Sequence, residues 1–284
     1  MSAQVEEIRL SLGHIELAAH LFGPEDGLPV IALHGWLDNA NSFARLAPQL
    51  KGLRIVALDL AGHGYSEHRP AGAGYALADY AHDVLRVSEQ LGWHRFALLG
   101  HSLGAIISVQ LAGALPERVS HLALIDGVIP PTGAEEDAGE RLGMALQAQL
   151  RLDSKRKTVY QTLEQGVQAR MKGMVAVSRD AAELLAQRGL MPVPGGYSWR
   201  SDSRLTLPSP VRLTEAQAMA YVRRVSCPAC LVVAADGMLA RHTELLEQLP
   251  FEQTVLPGGH HLHLNDEQGA ALVADCINRF FGFA

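Results

Sequence analysis

The sequence predicts an α/β protein: a mostly parallel eight-stranded sheet flanked by helices, with a helical unit inserted into it. Three observations carry this. An alternating stretch near the N-terminus gives way to short, wholly apolar runs; the runs are separated by segments of helical periodicity; and from about Pro130 to Arg224 the strand signal disappears. Strands buried on both faces lose the apolar/polar alternation of half-exposed strands. Apolar runs interleaved with helices therefore imply a parallel sheet covered on both sides and joined by right-handed crossovers.

Taken in order, residues 8–21 alternate, with Ile8, Leu10 and Leu12, then Ile15, Leu17, Ala19 and Leu21, on one face, and Gly13 where the chain must reverse. That pattern predicts an antiparallel hairpin. Six further strands are expected at Val30–Leu33, Ile55–Leu58, Phe96–Leu99, Leu122–Ile125, Leu231–Ala234 and Thr254–Leu256. Leu77, Tyr80, Ala81, Val84, Leu85 and Leu91 form a helical stripe closed by Gly92. Beyond Pro130, helix-prone segments at Glu135–Leu152, Thr158–Met171 and Arg179–Arg188 are followed by a turn-rich stretch, Met191–Pro210. A last helix is expected over Gly269–Phe280. The chain thus divides into a core domain, 1–130 and 225–284, and an inserted helical domain, 131–224.

Of 284 residues, 48 % are hydrophobic and 19 % charged, a mixture that buries a large core. The formal charge of −6 disfavours a nucleic-acid partner, which rewards clustered positive charge. The insertion carries 14 Lys+Arg against 10 Asp+Glu, which reads as solvated helix surface with recruitment of an anionic substrate as the sharper alternative. No apolar run reaches the ~18 residues of a membrane span, and MSAQVEEIRL lacks the basic and apolar parts of an export signal. The expectation is a soluble cytoplasmic protein, monomer or homodimer, with no membrane partner. Cys227-Pro-Ala-Cys230 has the spacing of a redox motif but leads into a buried strand, so the two thiols read as small core residues.

The chemistry concentrates in Gly100-His101-Ser102-Leu103-Gly104, between an apolar strand and an apolar helix. A serine at such a turn adopts a strained backbone, and flanking glycines permit the close approach that exposes its hydroxyl at the carboxyl end of the sheet. The hydroxyl is scarcely ionised at neutral pH and needs an imidazole base. His260, on the Gly-rich loop after the last strand, is the candidate base; His261 and His263 compete, and H-H-x-H fits none of the usual zinc spacings. A carboxylate must hold the imidazole in the right tautomer. Asp236 is preferred because it keeps the chain order Ser, Asp, His; Asp126, ending the strand after the serine's, is the alternative. Oxyanion donors are expected from the backbone N–H groups of Leu103 and Trp36, the latter in His34-Gly35-Trp36. His34, His101, Tyr160, Tyr197 and Trp199 are candidate substrate-pocket residues, the aromatics of the insertion having the alternative fate of packing its own core. Asp59 to Ser66 is Gly-rich but lacks either phosphate-loop pattern, and reads as structural.

These motifs, His34-Gly35-Trp36, Asp59-x-x-Gly62-His63-Gly64-x-Ser66, Gly100-x-Ser102-x-Gly104 and Gly259-His260, together resemble the α/β-hydrolase superfamily over nearly the whole chain. His34–Phe43 and Gly258–Asp266 are similar to its serine hydrolase-like, kraken-type subgroup. The resemblance implies the α/β-hydrolase fold, a lid over the site formed by 131–224, and a cofactor-free Ser/His/acid triad cleaving a small or medium carboxylic ester through an acyl-enzyme. Many relatives place the acid one residue later, where this chain has Gly237, and this keeps Asp126 in contention. Dehalogenases and epoxide hydrolases of similar architecture use an aspartate where Ser102 stands. Carbon-carbon bond hydrolases, cofactor-free haloperoxidases and a slow-turnover ligand receptor on the same fold remain as alternatives.

Overall fold

The computed structural model describes residues 5–152 and 156–283; the first four residues of the N-terminal stretch discussed above lie outside them. The hairpin is β1 (Glu6–Ser11) and β2 (Glu16–Phe22), turning through Gly13 at φ 87°. The apolar runs become β3 (Leu28–Leu33), β4 (Leu53–Leu58), β5 (Phe96–His101) and β6 (Val119–Ile125), then, beyond the insertion, β9 (Ala229–Asp236) and β10 (Glu252–Gly259). They form one eight-stranded sheet in the order β1-β2-β4-β3-β5-β6-β9-β10. β2 runs antiparallel to both neighbours, and the rest of the sheet is parallel.

The period-2 geometry of the strands divides the core in two. Ile31, Leu33, Val56, Leu58, Leu98, Leu122, Leu124, Leu231 and Val233 share one cluster with α1 (Leu77–Gln90), α2 (Leu103–Ala114) and α6 (Glu215–Arg224). Val30, Ala32, Ile55, Ala57, Ala97, Leu99, Ala123, Ile125, Val232 and Ala234 pack on the other face against α9 (Glu267–Phe280). Both faces are covered, which is why the strands tolerate no polar alternation. Two short helices, α7 (Thr243–Gln248) and α8 (Leu262–Asn265), lie too close to loops in length for the sequence pattern to reveal.

The insertion holds α3 (Ala138–Leu152), α4 (Leu163–Met171) and α5 (Arg179–Gly189) around its own small core of Val167, Val177, Ala181, Ala182, Leu185, Ala186 and Leu190. Helix α4 starts later than Thr158 because Thr162 caps it, its side chain accepting from the Gln165 N–H; Tyr160 instead bridges Tyr197 in extended pairing. The turn-rich stretch conceals a hairpin, β7 (Leu190–Val193) and β8 (Gly196–Trp199). Pro192 inside so short a strand hides the pattern. Helix α6, within the expected 131–224, packs on α2 and contributes Met219 and Val222 to the sheet core.

Four arginines of the insertion are held in ion pairs, two of them with carboxylates of the core. Arg188 pairs with Asp59 and Glu7, both at 2.7 Å; Arg170 pairs with Asp38 at 2.7 Å; Arg204 pairs with Asp202 and Arg179 with Glu164, both at 2.6 Å. Solvated or docking surface is thus the reading these four arginines take, and none of the four is a free anion receptor.

Candidate active site

Among the described residues, three non-glycine residues have positive φ: Leu37 at 61°, Ser102 at 51° and Asp126 at 44°. Such conformations cost of order 1–3 kcal/mol each and persist only where the surroundings enforce them. All three lie just past the carboxyl ends of β3, β5 and β6, side by side in the sheet. At Ser102 the enforcement is legible: its N–H donates to the Ile125 carbonyl at 3.0 Å, and the Gly104 N–H donates to the His34 carbonyl at 3.1 Å. A Cβ at Gly104 would collide with the Leu33 carbonyl, so the motif's last glycine permits α2 to start directly against β3.

His260 follows β10 and is buried. Its Nδ1 lies 2.6 Å from Asp126 Oδ2, and the same carboxylate accepts from the Ala234 N–H at 3.2 Å and the Met238 N–H at 3.0 Å. An ionised carboxylate only accepts, so Nδ1 carries the proton and Nε2 presents its lone pair. The carboxylate beside the imidazole is that of Asp126, not that of the preferred Asp236. Asp236 sits exposed at the frayed end of β9, opposite Gly259, whereas Asp126 turns under that end to meet the imidazole. Gly237 makes this possible: a Cβ there would strike the Asp126 carboxylate. The glycine at the position of the family's usual acid is the one that leaves room for the Asp126 carboxylate.

The Ser102 hydroxyl has no hydrogen-bond partner among the described residues and is half-buried. Ligand-free sites often hold such pairs long, tightening them only with substrate. The backbone N–H groups of Trp36 and Leu103 likewise have no protein acceptor among the described residues.

Of the expected pocket residues, His34 and His101 are corrected: both are fully buried and act as straps. His34 Nδ1–H donates to the Gly35 carbonyl at 2.7 Å while Nε2 accepts from the Leu60 N–H at 3.0 Å, joining the loops after β3 and β4. Tyr160 and Trp199 pack against the insertion's own core, the alternative open to them, and Tyr197 pairs with Tyr160 through its backbone. Asp59 organises its loop, accepting from the Ala40 and Tyr65 N–H groups at 2.7 Å each and from Arg188. Burial pushes the thiols of Cys227 and Cys230 up, the opposite of what a redox pair requires.

Sequence reasoning missed Asp38. Fully buried after β3, it accepts from Arg170 Nη2 at 2.7 Å and from His261 Nε2 at 3.0 Å. Burial pushes its carboxyl up, but His261 and Arg170 outweigh this and hold it well below the ordinary range. Asp38, His101 and His261 bring potential ligand atoms within 4.8 Å of one another, as do the exposed His14 and His82 with the buried Asp83. At the buried trio Arg170 already supplies the countercharge, which does not fit a metal ion.

Burial holds several imidazoles neutral. It lowers His63 to about 3, with His34 adding to the effect, and His263 to about 3, with His261 adding. Between their unfolded value near 6.5 and about 3 these groups bind more protons unfolded than folded, so stability is complete above that window and falls as pH drops through it. The expected result is a urea midpoint that declines steadily from pH 7 to pH 5, as the unfolding free energy falls by up to about 1.4 kcal/mol per pH unit for each such histidine. A midpoint that is flat or rises on acidification contradicts the burial of these rings.

The family described as alpha/beta hydrolase fold matches residues 29–266, and the chain belongs to it. It is a hydrolase of that fold. Among relatives, the serine hydrolase-like protein of Danio rerio is 30 % identical, the alignment covering 96 % of this chain and 88 % of that one. The crystal structure of a hypothetical protein from Pseudomonas aeruginosa PAO1 superposes with a TM-score of 0.96 at 68 % identity, covering 98 % of this chain and 99 % of the other. A thioesterase domain from the curacin biosynthetic pathway follows the same fold at TM-score 0.80 and 25 % identity, over 97 % and 100 % of the two chains. Among the described residues no helix is long and apolar enough to cross a membrane.

Proposed function

We propose that the protein is a serine hydrolase that cleaves a small or medium carboxylic ester through an acyl-enzyme. Ser102 is the nucleophile, His260 the base, and Asp126 the acid that orients and electrostatically supports the imidazole. The observation that carries this reading is the 2.6 Å contact between His260 Nδ1 and Asp126 Oδ2 at the strand ends beside a serine held at φ 51°.

In the first step His260 Nε2 takes the Ser102 proton as Oγ attacks the carbonyl carbon. The developing oxyanion receives the free N–H groups of Trp36 and Leu103, donors that typically contribute a hundredfold or more apiece. The protonated imidazole is stabilised by Asp126 and returns its proton to the departing alkoxide. Water, deprotonated by His260, then releases the acid and restores the serine.

The helical unit from residue 131 forms the lid in this reading. Trp36 Nε1 donates to the Leu205 carbonyl at 2.9 Å, and Asn39 and Asn41 donate to the Leu185 and Leu184 carbonyls, so the lid rests on the oxyanion loop. Three free cysteines suit a reducing compartment, in keeping with a cytoplasmic enzyme.

The test is a screen of short and medium esters, thioesters and lactones with wild-type protein and Ser102→Ala side by side. Many turnovers on esters by the wild type alone is the expected outcome. Preference for thioesters over the matched esters redirects the substrate class, and absence of turnover on every acyl substrate contradicts the reading.

A further inference from the structure

Beneath the proposed triad lies a buried set of groups that the reaction as written does not use: His101, Asp38, His261 and His263, with Arg170 reaching in from α4. His101 occupies a special place in it, because it immediately precedes the nucleophile and yet contacts the loop that carries the base. Its Nε2 lies 2.9 Å from the main-chain carbonyl oxygen of His260. A carbonyl oxygen accepts and never donates, so Nε2 bears the hydrogen and the tautomer is fixed. Nδ1 is then the unprotonated nitrogen; it is buried without a hydrogen-bond partner and faces Asp38 Oδ2 at 3.8 Å.

The ring has nowhere else to go. It packs against the imidazoles of His263, His260 and His261 with centroid separations of 4.3, 4.7 and 4.8 Å. On its remaining side, a Cβ at Gly35 would lie 2.9 Å from Nδ1 and 3.0 Å from Asp38 Oδ2, so the oxyanion loop closes on the ring with no room for a side chain. Asp38 in turn is held by Arg170 at 2.7 Å and by His261 at 3.0 Å. One hydrogen bond therefore joins the peptide of the nucleophile's elbow to the peptide of the base, and a buried ion pair anchored in the lid wedges the donor ring in place.

We propose that His101 is a positioning residue that sets the reach between Ser102 Oγ and the His260 imidazole by holding the His260 carbonyl, with Asp38 and Arg170 fixing its ring. This rests on the Ser102/His260 reading above. A 1 Å displacement of reacting groups can cost on the order of a hundredfold in rate. Residue 101 has the leverage to produce such a displacement because it joins both strand ends while its own ring is fully buried. In the sequence it reads as a candidate pocket residue at the x position of G-x-S-x-G.

The experiment compares His101→Leu, His101→Asn and His101→Gln with the wild type and Ser102→Ala on one ester, alongside thermal melting and the rate of fluorophosphonate labelling. Glutamine carries an N–H donor at about the reach of Nε2, asparagine carries the same donor one methylene short, and leucine carries none. Expected is a fall in kcat of about a hundredfold for His101→Leu with KM within about threefold. Labelling should slow in parallel, and His101→Gln should recover at least tenfold over His101→Leu. If leucine prevents folding, the glutamine and asparagine variants put the same question at equal polarity, with glutamine expected to be at least tenfold the faster. Equal kcat for these two, or a His101→Leu protein that folds and turns over like the wild type, overturns the proposal while Ser102→Ala stays inactive. Activity remaining in Ser102→Ala itself instead removes the nucleophile assignment, and the positioning role with it.

Discussion

Replacing Ser102 by alanine should lower the proposed ester turnover by at least about 10³-fold while leaving the melting temperature close to that of the wild type. The size follows from the chemistry. Without Oγ no acyl-enzyme forms, and what survives is attack by water assisted by the two backbone donors at Trp36 and Leu103. The fold should be indifferent or gain slightly, because Ser102 makes no side-chain hydrogen bond among the described residues and its φ of 51° is held by backbone bonds to Ile125 and by the start of α2. Steady-state kinetics on a nitrophenyl ester, paired with thermal melting, gives both readouts. A variant that loses its fold together with its activity leaves the elbow structural, contrary to expectation.

The second large effect separates the two carboxylates. Asp126→Asn should lower kcat by about 10³ to 10⁴-fold, since an amide at that position can donate to Nδ1 and so favours the tautomer whose proton sits on Nε2, where the lone pair is needed. Asp126 also accepts from the Ala234 and Met238 N–H groups, so the asparagine variant should keep part of that support through its carbonyl oxygen and remain folded. Asp236→Asn, at an exposed strand end, should stay within about twofold of the wild type. The paired comparison is decisive because both residues end neighbouring strands and differ chiefly in what they touch. A result with the two effects exchanged returns the acid to Asp236.

Much of the architecture could be read directly from the residues. Burial on both faces writes itself into Val30–Leu33, Phe96–Leu99 and Leu231–Ala234 as unbroken apolar runs, and a strained serine elbow needs Gly100 and Gly104 around it. The serine and the histidine of the proposed triad stand out for the same reason: each sits at a strand end in a glycine-rich context. The proposed acid does not stand out, because chain order is one-dimensional evidence and both aspartates satisfy it. What separates them is the three-dimensional detour of Asp126 beneath β9, whose sole trace in the sequence is Gly237. Asp38 was invisible for a related reason. Its partners Arg170 and His261 lie 132 and 223 residues away, and a long-range ion pair leaves no local periodicity. The pocket assignments for His34 and His101 failed because a histidine in a conserved-looking motif resembles a ligand-binding group, while burial turns both rings into neutral straps between loops.

The most direct test of the Ser102–His260–Asp126 arrangement is peptide mapping by mass spectrometry after reaction with a fluorophosphonate, which modifies a serine only where an imidazole activates it. The account predicts one adduct per chain, carried by the peptide containing Ser102, and a labelling rate that collapses in Asp126→Asn but not in Asp236→Asn. An adduct on another residue, or Ser102 labelled equally fast in both variants, contradicts it.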